Sequence, residues 1–170
     1  MKQKDNIKCL LRDFTINDSQ AVNQIALLAF QQYENYYNDW NKIKESISSM
    51  ASLADHAELI VASSNENIIG AVAYVPSGID KALFPKDWPV IRMLVVDPQY
   101  RGLGIGKKLT EACIQRALRD DAKLIALHTS SIMEIALKMY LRMGFVFEKE
   151  APLLYGVTYN IYIKHLPTPL

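Results

Sequence analysis

The sequence predicts a mixed α/β fold in which helices cover the faces of one sheet. Three observations point there. Runs of β-branched residues alternate with segments of helical spacing, in the order strand, helix, helix, three strands, helix, strand, helix, two strands. The chain has 170 residues, 50% of them apolar and 22% charged, enough for one domain (1–170) with a sizeable core. No repeat, low-complexity tract or Gly/Ser-rich linker divides it.

Lys8 to Phe14 reads as the first strand, and Asn17-Asp18-Ser19 offers short polar side chains to cap a helix. Val22, Ile25, Ala26, Leu28 and Ala29 then recur at helical spacing. A second helix is expected from Trp40 to Leu53, with Ile43, Ile47, Met50, Ala51 and Ala54 on one face. Glu58–Ser63 and Ile68–Val75 read as a hairpin joined by Asn65-Glu66-Asn67. Pro76 to Pro89 is a long connection, and such loops are often functional. Val90–Val96 is another β-branched run, stopped by Asp97-Pro98. A helix starts near Gly104 with a stripe of Ile105, Leu109, Ala112, Cys113 and Ala117. Leu124–His128 is a short strand, Ile132–Met143 a helix that Gly144 ends, and Phe145–Lys149 and Val157–Lys164 the last strands.

Nineteen basic and eighteen acidic residues leave a formal charge of +1. That balance gives no footprint for nucleic acid and no polybasic anchor for a membrane. Apolar runs fall short of the roughly 18 residues a membrane helix needs. Met1–Asn6 leads into no apolar signal core, so a cytoplasmic protein is expected. The two cysteines, Cys9 and Cys113, have no metal-ligand spacing, and no metal site is expected. Two buried thiols are expected rather than a disulfide.

The most informative segment runs from Val95 to Lys108: a strand ends, Gly102, Gly104 and Gly106 follow at alternate positions, and a helix starts. Glycine permits left-handed backbone angles and removes the Cβ that would obstruct a ligand. The first amides of a helix lack internal partners, and with the helix dipole they attract an anion. Lys107 and Lys108 add positive charge. The P-loop pattern fails, because Lys108 follows Gly106-Lys107 and Arg101 holds the first glycine position. The dinucleotide pattern fails from Gly102, which places Lys107 at its last glycine.

The turn resembles the acyl-CoA-binding signature of the GNAT superfamily of N-acetyltransferases, Gln/Arg-x-x-Gly-x-Gly/Ala, matched by Arg101, Gly104 and Gly106. Val95-Val96-Asp97-Pro98-Gln99-Tyr100 is similar to the family's preceding stretch. Ala136, Tyr140, Gly144 and Phe145 match its second signature, Ala-x-x-x-Tyr-x-x-x-Gly-Phe. The resemblance implies a GNAT-like, mostly antiparallel mixed sheet of six or seven strands with about four helices. It implies an N-acetyltransferase that moves an acetyl group from acetyl-CoA to a primary amine, small-molecule or peptide, by direct attack in a ternary complex. Leu94, Val95 and Val96 would lie along the pantetheine arm, and Arg101, Gly102, Leu103, Gly104, Ile105, Gly106 and Lys107 would bind the pyrophosphate. A main-chain N–H near Leu94 would polarise the thioester carbonyl. Tyr140 would donate to the leaving sulfur, its ordinary pKa of about 10 keeping it protonated. Met133 stands where many members carry an Asn, so one hydrogen bond to the cofactor arm would be missing, or supplied by Thr129, Ser130 or Ser131.

A lysine-like amine costs about 4–5 kcal/mol to deprotonate at pH 7, which makes a base useful. Glu34, Asp39, His128 and Glu134 are the candidates, and the choice among them stays open. Phe30, Tyr33, Tyr36, Tyr37 and Trp40 interleave with Glu34 and Asp39, either as a core-facing stripe or as an aromatic and acidic wall for a cationic amine. On the second reading Tyr33, Glu34 and Tyr37 bind the acceptor, with Trp88 of the long loop opposite. A non-catalytic acyl-CoA sensor, or an acetyltransferase for protein N-termini or lysines, would carry the same turn. Oligomeric state stays open, a homodimer included.

Overall fold

The computed structural model describes residues 7–168. The Met1–Asn6 stretch read for a signal therefore lies outside the described residues. The elements are β1 (Leu10–Asp13), α1 (Ser19–Phe30), α2 (Trp40–Ile47), β2 (Glu58–Ser64), β3 (Asn67–Val75), β4 (Val90–Val96), α3 (Ile105–Arg119), β5 (Leu124–Thr129), α4 (Glu134–Arg142), β6 (Val146–Glu150) and β7 (Asn160–His165). One seven-stranded sheet has the order β1-β2-β3-β4-β5-β7-β6. Only β4 and β5 run parallel; the other neighbours are antiparallel, as expected.

Both faces of the central strands are covered. Leu59 and Val61 of β2 pack with Val22, Ile25 and Ile47 of α1 and α2, whereas Ile60 and Ala62 pack with Leu109 and Cys113 of α3. Alternate residues thus enter opposite cores, which is why these strands read as continuous apolar runs.

Local departures from the expected elements have local causes. α2 ends at Ile47 rather than Leu53, because the Ser48 and Ser49 hydroxyls bond back to the carbonyls of Lys44 and Glu45 and compete with the helix. The chain continues as a 3-10 turn over Met50–Asp55, which still buries Met50 and Ala51 but leaves Ala54 exposed. Leu28 points to solvent, 42% exposed, on the outer side of α1. Asp18 does not cap α1 with its own carboxylate; that group takes both arms of Arg12 and, closing the capping box of the short 3-10 turn Ile16–Asp18, the Thr15 N–H. The β2–β3 hairpin turns on Asn65-Glu66 alone, both at positive φ, which suits a tight two-residue turn. Both cysteines are free, but only Cys113 is buried, its thiol pushed up to about 12 by desolvation. Cys9 is half-buried.

Two features set the geometry between β4 and its neighbours. β4 and β5 share one register pair, Val90 with Ala126, where the Ala126 N–H donates to the Pro89 carbonyl at 3.0 Å; beyond it the strands separate. Against β3, the register shifts between Ala71–Val95 and Ala73–Arg92, with Met93 at φ 53°. This bulge takes Met93 and Leu94 out of the regular ladder. Among the described residues no helix is long and apolar enough to cross a membrane.

Candidate active site

The glycine turn follows β4 and a short 3-10 segment, Pro98–Tyr100, capped by the Asp97 carboxylate on the Gln99 N–H. Gly102 and Gly104 sit at φ 78° and 76°, and a Cβ built on either meets nothing within 4 Å. Their concavity is open. The first amide to bond back into α3 is that of Lys108, to the Gly104 carbonyl at 3.1 Å. The preceding amides donate to no main-chain carbonyl among the described residues, so the donors an anion needs are present. A diphosphate fits this cradle. Gly106 differs: it lies inside α3, and its Cβ would rest 3.7 Å from the Met139 sulfur. The Arg101 guanidinium turns away to the Ala29 carbonyl at the end of α1, 3.1 Å distant, and ties the turn to that helix. Lys107 is exposed and faces Glu111.

Where β4 and β5 separate, a cleft of about 160 Å³ opens. Leu94, Met133, Ala136 and Tyr140 are among the residues that line it. Tyr140 is buried edge-on against Phe145, ring centres 5.7 Å apart. Burial raises its pKa, so the phenol keeps its proton. Its hydroxyl bonds no other described residue and belongs to the cleft wall. Met133 lines the same cleft, while the Thr129 hydroxyl lies 3.8 Å from the Met133 sulfur and the Ser130 hydroxyl accepts the Ile132 N–H. Val95 and Val96 face opposite cores rather than the cleft.

The cleft is also lined by Phe30, Tyr37, Ile43, Ile47, Arg92, His128 and Tyr159. Tyr37 and Tyr159 share a hydrogen bond between their hydroxyls. The His128 ring stands 5.1 Å from that of Tyr159 and 6.0 Å from that of Phe84. Burial, and secondarily the Arg92 charge, lower its pKa to about 4, so the imidazole is neutral; its buried Nδ1 has no partner among the described residues. Of the four base candidates only His128 reaches the cleft. Glu34 is exposed, Asp39 caps α2 on the Lys42 N–H, and Glu134 pairs with Lys138 on the surface. The aromatic wall exists without its acidic part, because Glu34 and Asp39 face outward. Tyr33 is half-buried behind Phe30, ring centres 6.1 Å apart. Trp88 packs among Val75, Val90 and Ala126, outside the cleft.

Residues 20–145 match the model of the Acetyltransferase (GNAT) family. The chain belongs to that family. Among curated relatives, "N-acetyltransferase 8F1" of Rattus norvegicus is 30% identical over 121 residues, covering 71% of this chain and 54% of that protein. The "S-alkylcysteine N-acetyltransferase" of Bacillus subtilis is 25% identical over 146 residues, covering 83% and 82%. The chain thus spans about half the length of the mammalian relative. A GNAT acetyltransferase from Elizabethkingia anophelis, solved with acetyl-CoA bound, superposes with a TM-score of 0.68 at 19% identity, covering 96% of this chain and all of the other. A PaiA N-acetyltransferase of Thermoplasma acidophilum, in complex with coenzyme A, gives 0.69 at 15%, covering 94% and 100%. These likenesses show that the fold is the GNAT fold.

Within this GNAT fold, sequence reasoning missed Arg92, Tyr159, Ile43 and Ile47 as cleft residues. Arg92 carried a signal: it is the one charge inside an otherwise apolar strand. It also missed Gly70 on β3, where a Cβ would stand 3.1 Å from Ile105 and Leu109 side-chain atoms. That glycine lets the start of α3, and so the turn, sit close on the sheet.

Proposed function

We propose that this GNAT protein is an acetyl-CoA-dependent N-acetyltransferase for a small primary amine, working by direct attack in a ternary complex. One observation carries the reading: Leu94, Ala136 and Tyr140 line the same cleft as Tyr37 and His128, so donor and acceptor would meet in one space. Main-chain amides of Arg101 to Lys107 hold the diphosphate, helped by the α3 dipole. Acetyl-CoA supplies an activated thioester. The bulged main chain at Met93 and Leu94 aims a donor at its carbonyl oxygen, where negative charge develops. The acceptor nitrogen bonds to the carbonyl carbon as the carbon–sulfur bond breaks. Tyr140 gives the departing sulfur a proton, the nitrogen releases one to water in the cleft, and the phenol regains its proton from that water.

No carboxylate lines this cleft among the described residues, so deprotonation of the amine falls to water beside His128 rather than to a glutamate. The test is thiol release from acetyl-CoA across a panel of amines that includes an S-alkylcysteine, the acceptor in the Bacillus subtilis relative's name. Turnover with at least one amine is expected. Tyr140→Phe is expected to lose roughly 10²-fold or more in kcat while calorimetry gives acetyl-CoA affinity within about twofold of wild type. Tight acetyl-CoA binding with no turnover across the panel would instead make the protein an acyl-CoA sensor.

A further inference from the structure

Arg92 stands apart from the other arginines. Arg12 grips Asp18, Arg116 and Arg119 grip Glu58, Arg101 donates to the Ala29 carbonyl and Arg142 to that of Lys138. Arg92 pairs with no described residue. It lies on the cleft wall, open to solvent from that side. Protein crowds it enough that desolvation lowers its pKa, with no opposing charge to offset the effect. No Asp or Glu contributes to the cleft wall among the described residues. The polar neighbours are uncharged: a neutral His128 and the Tyr37–Tyr159 hydroxyl pair.

Building on the transferase reading, we propose that Arg92 binds the carboxylate of an α-amino acid acceptor that has an apolar side chain. A guanidinium presents two parallel N–H donors that match a carboxylate, and such bidentate pairs are stronger than neutral hydrogen bonds. Phe30, Ile43, Ile47 and Leu154 supply the apolar surface for the side chain. The pairing also serves the chemistry. A free carboxylate beside an ammonium favours the charged amine; neutralised by Arg92, it no longer does, and the amine loses its proton more readily. A polyamine or a lysine tail would instead place a second cation beside Arg92 with no anion to balance it.

The experiment compares L-leucine with isopentylamine, which is leucine without its carboxylate. In the wild type, leucine is expected to have the lower KM. Arg92→Gln is expected to raise the KM for leucine about 10- to 100-fold, to move the kcat–pH profile for leucine to higher pH, and not to raise the KM for isopentylamine. Arg92→Lys, which keeps the charge but not the fork, is expected to fall between. Calorimetry of leucine against the coenzyme A-saturated protein gives a readout without turnover, and Arg92→Gln is expected to abolish that heat. Equal KM values for the two compounds in the wild type, or no leucine binding by calorimetry, overturns the proposal while any amine turnover leaves the transferase reading standing. Leucine binding that depends on Arg92, without turnover of any amine, upholds the carboxylate site and removes the transferase reading.

Discussion

His128 occupies a position where a charged imidazole is unfavourable: desolvation acts on it first, and the Arg92 cation opposes a second charge nearby. The aromatic rings of Phe84 and Tyr159 complete its surroundings. Its pKa of about 4 lies well below the ordinary 6.5. An NMR titration of the His128 ring is therefore expected to show no change between pH 5.5 and 8 and a midpoint near 4; a midpoint near 6.5 would mean that water reaches the ring freely. This residue also marks the limit of what spacing alone conveys. Arg101, Gly104 and Gly106 lie within one turn of chain, and Tyr140 is placed by Ala136 and Gly144 around it, so both motifs are local and readable. The cleft joins Phe30, Arg92, His128 and Tyr159 from four distant segments. No sequence interval connects them, and Glu34, which does lie beside the aromatic stripe, turns outward.

The elements were legible where punctuation is chemical. β4 runs over Val90–Val96 as expected, because Pro89 precedes it and Asp97-Pro98 stops it. The end of α2 was not legible, since Ser48 and Ser49 act through back-bonding rather than through a glycine or proline. Nor was the seating of α3, which rests on a residue two elements away. Gly70 gives Ile105 and Leu109 their place against β3, with contacts of 3.1 Å to a Cβ that is not there. The Val95 carbonyl stands at the same distance on the third side, so a larger side chain has no free direction. Gly70→Val is expected to lower stability by about 1–3 kcal/mol, read as a lower midpoint in urea, and to weaken acetyl-CoA binding because the start of α3 carries the diphosphate amides. Unchanged affinity together with an unchanged midpoint would show that α3 is not seated through this contact.

Across the whole molecule, charges bind the outer strands to the helices and set its response to acid. Arg116 holds Asp13 and Glu58, Arg119 holds Glu58 and Asp120, and the Tyr74 hydroxyl donates to Asp120 at 2.9 Å. These contacts clamp the end of α3 to β1, β2 and β3, and they lower the pKa of Glu58 and Asp120, chiefly through Arg119. Beside Asp13 on β1, the hydrogen-bonded Arg12 holds Asp18 at about 2. A carboxylate lowered in the folded state stabilises it above the unfolded pKa of about 3.9, and that contribution fades as pH falls through the folded value. For Asp18 the window runs from about 4 down to about 2 and amounts to about 1 kcal/mol, since solvent reaches Arg12. His128 acts earlier. Its folded pKa is also below the unfolded one, so the unfolded chain takes up a proton first, and stability falls from about pH 6.5 to about 4 by about 3 kcal/mol. Two successive declines are therefore expected in the urea midpoint as pH is lowered. His128→Gln is expected to flatten the upper one and spare the lower; Asp18→Asn is expected to shrink the lower, to which Glu58 and Asp120 also contribute, and to spare the upper. A wild-type midpoint that holds level from pH 6.5 to 4 would show that His128 is solvated as freely in the folded chain as in the unfolded one.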